Sequence, residues 1–237
     1  MRELRTVLMV VELDREPGEL LVGAEALAFA LDAAVLRATF DGPRTAMTDV
    51  LHAVDEASIV ACAMPLDPSM ASHTGEATPS VIAASSKPLL LVPAHARMPQ
   101  RGRFERVLVP LEGTAETSDA IGGVIGDLRR HGASILAVHV FDSATTPRFW
   151  DQTGHAEETW AVEFASCWCD VVDVDLHLRR GDVATALLDL ATTEGVDLIT
   201  LGWNRVIAED RAAVVRAVLS ESATPVLLVP VRTGTPA

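Results

Sequence analysis

Three groups of residues in this 237-residue sequence have the types and spacing for chemistry. The first lies in Arg148–Phe164, where Asp151, His155 and Glu158 fall at i, i+4 and i+7 and so share one helical face. Phe149, Trp150, Trp160 and Phe164 surround them, four of the ten Phe and Trp residues of the chain. A pocket built from Trp150, Asp151, His155 and Trp160 would take a small molecule or a metal. The competing reading is an aromatic cap in which His155 bonds a carboxylate, and it is preferred because metal sites need a better-defined donor set. The second group is Glu112 with Thr114 and Ser118, an acid and two hydroxyls without a positioned base. The third is Gly202-Trp-Asn-Arg205 followed by Arg211, two guanidinium groups that can grip an anion, opposed by Glu209 and Asp210.

Other chemistry is not spelled out. His131, His139 and His177 have no ligand spacing, and Cys62 reads as a core residue on a buried strand. No G-x-S-x-G elbow, phosphate-binding loop, HExxH helix or paired-acid motif occurs, so the expectation is a protein without turnover and without a bound metal.

A chain that is 49% hydrophobic and 22% charged can bury a large core. Its net charge of -14 disfavours nucleic acid and anionic membranes as partners. The three cysteines do not form a disulfide scaffold, and Cys167-Trp-Cys169 is not a CxxC pair, which points to reduced thiols and a cytoplasmic location. Thr6–Val11 is short and flanked by acids, and it reads as a strand rather than a leader. No stretch has the length of a membrane span.

The elements that would position these residues come from an internal repeat. Lys87-Pro-Leu-Leu-Leu-Val-Pro93 matches Thr224-Pro-Val-Leu-Leu-Val-Pro230, and Thr6–Glu12 matches Arg106–Glu112. The offset between copies grows from 100 at the start to 137 at the end, so the first copy lacks one strand and its following helix. Alternation of β-rich runs with helical patterns predicts βαβ units and a parallel sheet. Strands are expected in the second copy at 106–111, 134–141, 172–178, 197–202 and 225–231, the alternating run 172–178 lying at an edge. Helices are expected there at 115–131, 155–168, 182–194 and 211–222. In the first copy strands are expected at 6–12, 34–40, 58–63 and 88–93, with helices at 19–32, 45–56 and 76–86. Residues 1–97 and 104–237 would form two domains joined by a linker at 98–103.

The second copy resembles a universal stress protein domain. Val107-Leu-Val-Pro-Leu-Glu-Gly-Thr114 is similar to the family's opening strand and loop, and Ser134–Asp142 to its second strand. Arg180-Gly-Asp182, Asp197-Leu-Ile-Thr-Leu-Gly202 and Thr224–Pro230 follow in the family's order. The resemblance implies an α/β architecture of two tandem open parallel-sheet domains, of the adenine nucleotide α-hydrolase-like kind, paired as a pseudo-dimer through 88–93 and 225–231. It leaves room for a homodimer of the tandem chain. It also implies a nucleotide position at the carboxyl ends of the strands. The matching residues are Pro110, Leu111, Glu112, Val140, Leu201, Gly202, Ala212, Ala213 and Val214.

The sequence departs from the family where nucleotide-binding members hold phosphate, in the pattern G-x-x-G-x9-G-S/T. Arg205 stands at the second glycine, and Ala212-Ala213 at the Gly-Ser/Thr pair. A side chain at a turn that needs a positive φ costs about 1 kcal/mol or more. The expectation is a stress-adaptation binding module with an unidentified small-molecule or protein partner, no cofactor and no high-affinity ATP site. The alternative is an adenine-nucleotide sensor that binds ATP or a related nucleotide through Arg205 and Arg211.

Overall fold

The computed structural model describes residues 5–12, 18–40, 49, 52–64, 81–82, 85–93, 96–99, 101–141, 159–164, 167, 175–203 and 212–231. Nine strands run in the order β1 (Arg5–Glu12), β2 (Ala33–Phe40), β3 (Ile59–Ala63), β4 (Leu89–Val92), β5 (Arg106–Pro110), β6 (Ser134–Phe141), β7 (Asp175–Arg180), β8 (Leu198–Trp203) and β9 (Val226–Pro230). The longer helices are α1 (Gly18–Leu31), α2 (Ala115–Arg130), α3 (Val183–Thr193) and α4 (Ala212–Glu221).

All nine strands join one sheet in the order β2-β1-β3-β4-β9-β8-β5-β6-β7. Pairing is parallel within β2-β1-β3-β4 and within β9-β8-β5-β6-β7. Between them β4 meets β9 antiparallel, with Leu89 opposite Leu228, Leu90 opposite Leu227 and Leu91 opposite Val226. This is the pairing expected from the repeated Leu-rich runs, and every one of these six residues is buried.

The continuous apolar strands are explained by helices on both faces. Val7, Met9, Leu90, Val107 and Leu227 share one cluster with residues of α1 and α2, while Leu8, Val60, Leu89, Leu108 and Leu228 share the other with α3 and α4. Helix α1 can lie close over β4 because Gly23 has no side chain: an added Cβ would meet Met98 and Val92 at 3.1 Å. Helix α2 starts at Thr114, whose hydroxyl accepts the Thr117 N–H, and α3 starts at Asp182, which accepts from Thr185. The Asp182 carboxyl is held below its usual range by bonds from the Thr185 N–H and the Thr185 hydroxyl. At the opposite end of the sheet, Asp197 accepts N–H bonds from Glu105 (2.7 Å) and Arg106 (3.1 Å) and ties the start of β8 to β5. Burial pushes its carboxyl above the usual range, against the pull of those two N–H groups.

The third strand of the second copy, at the edge of the sheet, is displaced from its expected place. It runs over Asp175–Arg180 instead of ending at Leu178, with residues 172–174 outside the described set. Arg179 and Arg180 belong to it because an edge strand lets long cationic side chains reach water, and it ends at Gly181. Helix stretches at 52–56, 81–82 and 159–164 fall within the expected helices 45–56, 76–86 and 155–168.

Candidate functional site

The carboxyl ends of β5, β6 and β8 form the rim where the sequence places its candidate residues. Pro110 ends β5 opposite Val138, and the Leu111 N–H continues the ladder to the Val138 carbonyl at 2.8 Å. Glu112 follows, exposed at the tip. Val140 lies near the end of β6, half-buried among the residues facing α3 and α4. Leu201 and Gly202 stand near the end of β8, where Leu201 faces Leu228 and Gly202 faces Val229. Ala212, Ala213 and Val214 open α4. Arg205, Arg211, Trp150, Asp151 and His155 lie outside the described residues.

A hydroxyl chain links this rim to the first turn of α2. The Thr114 hydroxyl donates to Thr117 Oγ1 at 2.9 Å, and the Thr117 hydroxyl donates to Glu112 Oε2 at 3.5 Å. Thr117 is buried, while Glu116 and Asp119 are exposed on the same end of α2. The rim is therefore acidic, and the first-turn N–H of Thr117 already has its partner in Thr114.

Gly202 fits closely against this group. A Cβ at Gly202 would lie 3.0 Å from Thr117 Cγ2 and 3.1 Å from Val231 Cγ2. Its backbone φ is outside the left-handed range, so the glycine is needed for close approach of β8 to α2. That requirement exists without any ligand.

An aromatic group adjoins the rim, and spacing alone had not identified it. His139, on β6, places Nδ1 2.7 Å from the Leu111 carbonyl oxygen. Its ring lies 4.5 Å from Phe141, 4.6 Å from Phe164 and 5.5 Å from Trp160 between centroids, and Trp160 stacks on Phe164 at 4.7 Å. A carbonyl can only accept, so Nδ1 carries the proton and Nε2 of the neutral ring is an acceptor. Burial pushes this imidazole below the usual histidine range, opposed by the Leu111 carbonyl. The signal was present as His139 and Phe141 at strand spacing and Trp160 and Phe164 at helix spacing, two apolar faces that meet. Trp160 thus belongs to a packed aromatic cluster with His139, Phe141 and Phe164.

The rim offers hydroxyls, the carboxylates of Glu112, Glu116 and Asp119, and a neutral imidazole. Among the described residues no group of three or more His, Cys, Asp and Glu is placed to hold a metal ion. No helix among them is long and apolar enough to cross a membrane.

The family model for the universal stress protein family matches residues 103–230, more than half of the chain. The chain belongs to the universal stress protein family. Solved structures show the same fold across nearly the whole length. A functionally unknown protein from Pseudomonas aeruginosa PAO1 is 13% identical, with 97% of this chain and 93% of that one covered at a TM-score of 0.66. A universal stress protein from Archaeoglobus fulgidus DSM 4304 is 16% identical, with 96% and 86% covered at a TM-score of 0.60. No curated protein matches the sequence. Pro110 ends β5 and Gly202 lies next to the end of β8, at the carboxyl side of the sheet, where doubly wound folds bind ligands.

Proposed function

We propose that this universal stress protein is a cytoplasmic stress-adaptation module that binds a partner without turnover and without high-affinity ATP, its first half being a shortened copy of the second. The observation that carries the reading is Gly202, the first glycine of the phosphate pattern, whose lack of a side chain is accounted for by Thr117 and Val231, which a Cβ there would meet at 3.0 and 3.1 Å. Around it, Arg205 and Ala212-Ala213 replace the glycines and hydroxyl that would turn backbone N–H groups and a donor toward phosphate. The exposed acids Glu112 and Glu116 add repulsion for a polyanion.

A second reading draws support from the gathering of Pro110, Leu111, Glu112, Val140, Leu201 and Gly202 at one end of the sheet. In it Arg205 and Arg211 replace the lost amides and the rim accepts an adenine nucleotide. Thermal unfolding with ATP, ADP, AMP and cyclic nucleotides separates the two. Ligand at 100-fold its Kd stabilises a protein by about 2.7 kcal/mol. No shift with any of them is expected, and a shift that disappears in Arg205→Ala establishes the second reading instead.

A further inference from the structure

The two halves treat their second strand differently. Val35 of β2 pairs with Val7 as Ile135 of β6 pairs with Val107, so Leu36 corresponds to Leu136. Strand β6 has β7 on its outer side, whereas β2 is the last strand of the sheet among the described residues. Leu136 is 2% exposed and Leu36 51%. Ala34 is also exposed and Ala38 half-buried on the same face as Leu36, which leaves an apolar stripe beside an eight-residue open edge.

The sheet's two ends carry different protection. Strand β7 has Asp175, Arg179 and Arg180, charges of the kind that discourage edge pairing. Strand β2 has Arg37 alone, and in a chain of net charge -14 it contains no carboxylate between Ala33 and Phe40.

We propose that the outer edge of β2 pairs antiparallel with β2 of a second copy of this chain, about a two-fold axis through Leu36. Residues directly opposite in an antiparallel pair share a face. An axis through Leu36 therefore sets leucine against leucine, Ala34 against Ala38 and Val35 against Arg37. An axis through Arg37 would set guanidinium against guanidinium. Self-pairing at β2 also brings two acidic molecules together along eight residues that carry no carboxylate. The chain already uses this kind of contact at β4 and β9, where two parallel half-sheets join through antiparallel edges.

Sedimentation equilibrium of the full chain at about 100 µM populates any contact with a low-micromolar Kd. The expected result is a dimer. Leu36→Lys weakens it at least about tenfold, because it puts like charges opposite each other on the axis, and Val162→Lys, at the 70% exposed position on the 159–164 helix, does not. Facing Cα atoms about 4.5–5.5 Å apart are within disulfide reach. In a Cys167→Ser, Cys169→Ser background, oxidation therefore cross-links Leu36→Cys and leaves Arg37→Cys uncoupled. The cysteine variants also report if the lysine variant folds poorly. A monomer at this concentration, a dimer indifferent to Leu36→Lys, or preferential cross-linking at position 37 would overturn the proposal.

Discussion

Gly202 has a Cβ-sized space that Thr117 and Val231 already fill. Gly202→Ala is expected to lower the stability of the ligand-free protein by about 1–3 kcal/mol, the usual cost of overpacking. Urea denaturation measures it, and Gly202→Ala with Thr117→Ala should recover part of the loss. An unchanged midpoint would mean that the glycine is kept for a ligand. His139 gives a pH test. Its folded-state pKa lies below the usual histidine value of about 6.5, so the unfolded chain binds the proton first as pH falls. Stability should decline below about pH 6.5 and level off once the folded imidazole also titrates. Denaturation midpoints across that range should lose this component in His139→Phe; an identical decline in the variant would refute the assignment. Legibility differs sharply between single residues. Cys62 announced its burial by lying within a β-rich run, and it is fully buried. His139 did not, because its partners Leu111, Trp160 and Phe164 come from separate elements.

Among the elements, the β4–β9 junction is the contact on which both halves depend. Leu90 and Leu227 face each other there, fully buried in the same cluster. Truncating either to alanine is expected to cost about 2–5 kcal/mol, and the double variant should lose less than the sum because the pair shares one cavity. Urea unfolding of Leu90→Ala should remain a single transition. Two separated transitions would show that the halves unfold independently. This junction was legible because two nearly identical Leu-rich runs end the copies, and an open parallel sheet needs a partner for such an edge. The change in offset predicts four strands in the first half against five in the second, the numbers found on the two sides of the junction among the described residues. The end of β7 was not legible, since Arg179 and Arg180 resemble loop residues until an edge position gives their charges access to solvent.

For the whole molecule, the long-range signal in the sequence was stronger than the local one. The repeat anticipates nine strands divided four and five, and the sheet has that division. Side chains complete the union in ways periodicity does not reveal. Asp127, on α2 of one half, is buried and bonds Arg5 at the start of β1 in the other as well as Arg130 on its own helix. His131 at the end of α2 approaches Asp32 after α1 at 3.3 Å and packs edge-on against Phe29. The candidate rim was less legible than the fold because its geometry joins a strand end, a helix start and a glycine contact that no single motif contains.

The unlike margins of the sheet also bear on how far the molecule can polymerise. A head-to-tail fibre would require every subunit to present its Arg179–Arg180 border to a neighbour's bare border, and repeating that step never closes a ring of two. With cations guarding one border, stacking of molecules into endless ribbons is obstructed at its first joint.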